Sequence, residues 1–171
     1  MKSFIISTVA ALALTVSARA ADVTAKISDV HICCNGCVKG INTAVSTVPG
    51  VKADADMDEG TVKLTGPDAA SVQKAADALV AGGYFGTSSD VKLDASTGVK
   101  DQKVQTMTVS GVHLCCGKCV KAVNEAVKTV PGVQATTAKK GDASFDVTGD
   151  FNAKDVMAAL QKAGLTGKAG M

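Results

Sequence analysis

The chain has 171 residues with 18 basic and 16 acidic side chains, one Tyr and no Trp. Lys2 and Arg19 belong to a leader-like start, and removing them leaves 16 bases against 16 acids, a formally neutral remainder. With no basic cluster either, nothing offers an electrostatic footprint for nucleic acid or an anionic membrane, and neither is expected as a partner.

In chain order, Lys2, the apolar stretch 4–16 and the small-residue exit Ala18-Arg19-Ala20 form a signal-peptide pattern, with the mature protein expected to begin near Ala21. The apolar stretch is shorter than the roughly 20 residues that a spanning helix needs. No cysteine follows the exit to carry a lipid. The expectation is a soluble secreted or periplasmic protein.

Val23, Ala25 and Ile27 then alternate like a half-buried strand. Val38, Ile41, Val45 and Val48 have helical spacing closed by Pro49-Gly50. Val51, Ala53, Ala55 and Met57 alternate again, Asp58-Glu59-Gly60 is turn material, and Val62 with Leu64 begins a return strand. Asp68 can cap a second helix with Val72, Ala75, Ala76 and Leu79 on one face, ended by Gly82-Gly83. The order β-α-β-β-α-β is that of the ferredoxin-like split βαβ, an α+β fold with two helices on one face of an antiparallel sheet.

The whole pattern then returns. His31-Ile32-Cys33-Cys34-Asn35-Gly36-Cys37 reappears as His113-Leu114-Cys115-Cys116-Gly117-Lys118-Cys119, and Val48-Pro49-Gly50-Val51 as Val130-Pro131-Gly132-Val133. Ala81-Gly82-Gly83-Tyr84 becomes Lys162-Ala163-Gly164-Leu165. This is a tandem duplication: a signal peptide at 1–20, a first domain at 22–88, a polar linker at 89–103 and a second domain at 104–170. In the second copy the 133–139 segment is more polar and the last strand, after Leu165, is expected to be short.

All six cysteines and both histidines fall in the two equivalent windows. Cys37 and Cys119 lie in the first turn of a helix, whose free amides and dipole favour thiolate, as do nearby Lys39 and Lys121. Paired thiolates suit Cu(I) or Zn(II) over calcium or magnesium. The candidate ligands are Cys34, Cys37, Cys116 and Cys119, then Cys33 and Cys115, then His31 and His113. The imidazoles are either direct ligands or residues that orient a thiolate.

With these residues in place, each copy resembles a heavy-metal-associated domain, the family of copper chaperones and of amino-terminal modules of metal-transporting ATPases. That family usually carries Gly-Met-Thr-Cys-x-x-Cys. Cys34 and Cys37, and Cys116 and Cys119, match its cysteines, whereas His31, Ile32 and Cys33 (His113, Leu114 and Cys115) depart from the residues before them. Because each copy repeats the whole ligand set, one Cu(I) or Zn(II) per domain is expected, with a single ion shared between the domains as the alternative, and the resemblance implies as partner a metal transporter or another metallochaperone domain. It also implies that Tyr84 and Phe85, with Leu165 and Thr166 in the second copy, lie near the metal loop, although packing of two apolar rings accounts for them more simply.

Metal capture, buffering or delivery, with no chemistry on a substrate, is therefore the expected function. Thiol–disulfide exchange is the alternative, since Cys116-Gly117-Lys118-Cys119 has the spacing of a redox motif. Against it stand the βαββαβ order, the absence of an aromatic before the pair, and the odd thiol that Cys33 or Cys115 would leave.

Overall fold

The computed structural model describes residues 21–170. The expected signal peptide lies outside the described residues. The elements are β1 (Val23–Ile27), α1 (Asn35–Val45), β2 (Lys52–Asp56), β3 (Thr61–Gly66), α2 (Ala69–Ala81), β4 (Lys103–Ser110), α3 (Gly117–Lys128), β5 (Val133–Thr136), β6 (Ser144–Asn152), α4 (Ala153–Lys162) and β7 (Lys168–Gly170). They form two antiparallel sheets, ordered β1-β3-β2 and β5-β6-β4-β7. Each sheet carries the two helices of its own repeat, which pack on each other. The fold is α+β, with the ferredoxin-like arrangement present twice. Among the described residues no helix is long and apolar enough to cross a membrane.

The repeats differ at their last strand. In the second, β7 pairs with β4 from Thr108–Gly170 to Ser110–Lys168. In the first, the equivalent stretch is reduced to a single bridge, Ser28 with Thr87. Side chains take over beyond it: Ser88 Oγ donates to the Lys26 carbonyl at 2.6 Å, and the Lys26 N–H donates to Asp90 at 2.9 Å. The exposed edge of β1 is thus satisfied by a hydroxyl and a carboxylate where β4 has a ladder.

The apolar face of the first helix is also rotated from the expected one. Cys37, Ile41 and Val45 are buried, at i, i+4 and i+8, while Val38 and Val48 are half-buried. Cys119, Val123 and Val127 repeat this in α3. The last cysteine of each window is therefore a core residue as well as a candidate ligand. In α2 the expected face, Val72, Ala75, Ala76 and Leu79, is the buried one.

Segment 88–102 has no helix or strand, yet it is fastened to both repeats. Gln73 bonds both the N–H and the carbonyl of Lys92, and Gln161 donates to the Ala95 carbonyl. The Ala169 N–H donates to Thr97, and the Ala153 N–H to Gln102.

Asp68 caps α2, accepting the Ser71 N–H at 2.7 Å. That bond holds its carboxyl below the ordinary carboxylate range, as the backbone N–H of Glu59 does for Asp56 and that of Ser96 for Asp94. A folded-state pKa below the unfolded one gives stability that is complete above the unfolded pKa and lost as pH falls through the folded one. Apo protein should therefore lose stability below about pH 4. Asp68→Asn, which keeps an acceptor at the cap, should flatten part of that fall, as read from denaturation midpoints across pH. An identical pH profile in the variant would refute the assignment.

Candidate metal centre

Each sulfur window is placed by a helix start. Cys34 and Cys116 are the extended residues that precede α1 and α3, at φ −167° and −152°, and neither makes a side-chain capping bond. No acid stands in the first turn of either helix. The free amide ends therefore face sulfur. The Cys119 N–H in particular draws the Cys116 thiol down to about 6.

The two windows are brought together by a pseudo-symmetric contact between the repeats. Gly83 and Gly164, at φ +86° and +76°, each press against the strand that enters the opposite window. A Cβ on Gly83 would overlap the Gly111 carbonyl oxygen, and one on Gly164 the His31 nitrogen. The Gly164 carbonyl accepts the His31 N–H at 3.2 Å and the Phe85 N–H at 3.1 Å, and the Thr166 N–H returns to the Gly83 carbonyl at 3.1 Å. Tyr84 and Leu165 form an antiparallel bridge between these glycines, and both are buried.

Tyr84 also reaches the centre from beneath. Its hydroxyl donates to the Cys37 carbonyl at 3.0 Å, and its ring lies 4.7 Å from that of His113 in the other repeat. Gly40 makes room for both rings, because a Cβ there would overlap the Tyr84 hydroxyl and lie 2.8 Å from His113 Cε1. Tyr84 is thus more than apolar packing. It fixes the backbone of one cysteine and carries the histidine of the other window.

The outcome is one cluster of six sulfurs. All six cysteines are free. The shortest separations run between repeats: Cys33–Cys116 at 3.5 Å, Cys33–Cys119 and Cys34–Cys115 at 3.6 Å, and Cys37–Cys115 at 3.7 Å. Cys37 and Cys119, both fully buried, are 3.9 Å apart. Within a window the distances are no shorter, from 3.7 Å for Cys33–Cys37 and Cys115–Cys119 to 4.0 Å for Cys34–Cys37. Cys33, Cys34 and Cys37 still stand together as the trio expected of one domain, but every sulfur also has neighbours across the boundary.

The histidines border this cluster crosswise. A nitrogen of His31 lies within 4.8 Å of Cys33 and Cys119 Sγ, and one of His113 within 4.8 Å of Cys37 and Cys115 Sγ. Nε2 of each ring is buried without a hydrogen-bond partner. Burial lowers the His31 pKa, which favours the neutral imidazole that binds metals. Burial also pushes the Cys33 thiol up to about 12 and raises that of Cys115. The contact between the two buried sulfurs lowers the Cys37 pKa and raises that of Cys119. Such a set opposes full ionisation unless cations enter, and it is soft, concentrated and partly shielded from water.

No family model matches the chain. Heavy-metal-associated domains are among its structural neighbours. The apo HMA domain of a copper chaperone for superoxide dismutase aligns at 22% identity over 47% of this chain and 82% of that one, with a TM-score of 0.36. The N-terminal soluble domains of Bacillus subtilis CopA align at 17% identity over 87% of this chain and 94% of theirs, with a TM-score of 0.30. The first two RRM domains of a yeast poly(U)-binding protein align comparably, at 10% identity over 86% and 97%, with a TM-score of 0.29. Superposition at this level is loose, and the chemistry of the centre rests on this chain's own sulfurs.

Proposed function

We propose that the protein captures soft metal ions, Cu(I) or Zn(II), outside the cytoplasm, and buffers or delivers them without acting as an enzyme. The convergence of six free thiols from both repeats, at 3.5–4.0 Å, carries this reading. Thiolate-rich sites select such ions over hard cations. Cys33, Cys115, His31 and His113 are then ligands or neighbours of the same centre as Cys34, Cys37, Cys116 and Cys119. A metal transporter or a second metallochaperone domain is the partner that would exchange metal with it.

Thiol–disulfide exchange is less well served. A redox pair needs an accessible nucleophile. Here Cys34 and Cys116 are half-buried, but each lies at least as close to cysteines of the opposite window as to its own Cys-x-x-Cys mate, so no single pair is set apart for exchange.

Reduced protein, titrated anaerobically with Cu(I) or separately with Zn(II) against a competing chelator, should take up metal stoichiometrically, and protein with its thiols alkylated should take up none. Failure of the reduced form to compete would overturn the reading. For location, protein recovered from a periplasmic or culture fraction should begin near Ala21. Recovery in the cytoplasm with the leader intact would refute export.

A further inference from the structure

We propose that the two repeats jointly build one polynuclear centre, in which four Cu(I) ions are bridged by all six cysteine sulfurs. The proposal rests on the soft-metal function and adds nuclearity and geometry to it.

The separations of 3.5–4.0 Å join the six sulfurs as the edges of a distorted octahedron. Cys33 stands across from Cys115, Cys34 from Cys119, and Cys37 from Cys116. The two remaining edges, Cys33–Cys34 and Cys115–Cys116, join adjacent residues and stay within 4.8 Å. An octahedron of donors offers triangular faces and no set of four mutually adjacent vertices. Tetrahedral coordination, the preference of zinc, is not available from sulfur alone. Three-coordination is available on every face.

The bond lengths agree with this. The triangle of Cys37, Cys115 and Cys119, with edges of 3.7, 3.7 and 3.9 Å, has its centre about 2.2 Å from each corner, and edges of 4.0 Å give about 2.3 Å, the usual metal–thiolate bond. A lone ion at the middle of the octahedron would lie about 2.6 Å from each sulfur, too far for such a bond. Four alternate faces share only corners, so each sulfur bridges two metals and each metal has three sulfurs. One such set is Cys33-Cys34-Cys37, Cys33-Cys116-Cys119, Cys34-Cys115-Cys116 and Cys37-Cys115-Cys119.

Charge also balances. Four Cu(I) displace six thiol protons and leave a cluster of net charge −2, with no change of oxidation state. Two helix N-termini, those of α1 and α3, meet this charge with neither a side-chain cap nor an acid in the first turn. Cys33 and Cys115 thereby gain a role that a two-coordinate site in each repeat would not give them.

The test is an anaerobic Cu(I) titration of the reduced protein, followed by native mass spectrometry and copper X-ray absorption. The expected result is saturation at four coppers, with apo and four-copper protein dominating throughout. A copper–copper vector of about 2.5–2.7 Å, two-thirds of the octahedron edge, should accompany three sulfurs per metal at about 2.3 Å. Saturation at one or two coppers without that vector would overturn the cluster while leaving soft-metal binding intact, and no uptake would overturn both. Cys33→Ser with Cys115→Ser, which keeps both Cys-x-x-Cys pairs, should bind fewer than four coppers while retaining its circular-dichroism spectrum. Four coppers in that variant would also refute the proposal.

Discussion

Replacing Gly83 and Gly164 together with alanine is expected to separate the two windows and abolish the shared centre while leaving each repeat folded. Each methyl group would be driven into the backbone that leads to the opposite window, at the Gly111 carbonyl and at the His31 nitrogen. The left-handed backbone adds about 1–2 kcal/mol of strain at each position. The surfaces that dock are two glycine loops with the side chains of Tyr84, Leu165 and His113 around them, whereas each repeat keeps its own helix face against its own sheet. Undocking is therefore the easier response. Small-angle scattering should show an extended particle with unchanged far-ultraviolet circular dichroism, and Cu(I) should be lost to a chelator at least tenfold more readily. Gly141→Ala supplies the control, having a similar φ of +83° and open space around it. A compact double variant with undiminished metal retention would show that docking does not assemble the site.

Cys37→Ala combined with Cys119→Ala should cost more metal affinity than any other pair of cysteine replacements. These two sulfurs face each other at 3.9 Å, and each also touches both other cysteines of its own window and one or more of the opposite window. Losing them leaves Cys33, Cys34, Cys115 and Cys116, a rim with no buried member. The expected loss of Cu(I) affinity exceeds the roughly 10–100-fold that follows removal of residues merely supporting a ligand. Both positions also lie on the buried stripe of a helix, beside Ile41 and Val123. Each truncation should therefore lower apo stability by about 1–2 kcal/mol, since only one small group is deleted. Chelator competition reads the first effect and urea denaturation the second. Affinity within tenfold of the unmodified protein would remove these residues from the centre.

Local pattern carries much of this molecule. The alternation of Val23, Ala25 and Ile27, the Asp68 cap and the Val72–Leu79 face each depend on near neighbours in sequence, and the backbone follows them. So does the cysteine spacing, which puts each trio at a helix start. The relation between the two trios is not legible, because docking depends on chain segments meeting across the repeat boundary. Its traces are present but unsigned. Gly40 stands within α1 where the second copy has Ala122, and Tyr84 stands where it has Leu165, yet nothing local says that the two positions answer to His113. The helix face shifts for a related reason: Val38 reads as core because it is apolar, while Cys37, which reads as a ligand, fills the buried position. In the first copy the last strand shrinks to one bridge backed by Ser88 and Asp90, polar residues on either side of the expected start of the linker.

Carrying both halves of the centre on one chain also sets how it responds to dilution. Two separate single-repeat proteins would have to collide before any bridging sulfur found its second metal, so their clusters would fall apart as protein became scarce. Here segment 88–102 is itself pinned to both repeats, through Gln73 with Lys92 and Gln161 with Ala95. A short tether of this kind presents one half to the other at an effective concentration on the order of millimolar or above. Loading then depends on free metal alone, and the same metal threshold applies to one molecule in a large volume as to a crowded population.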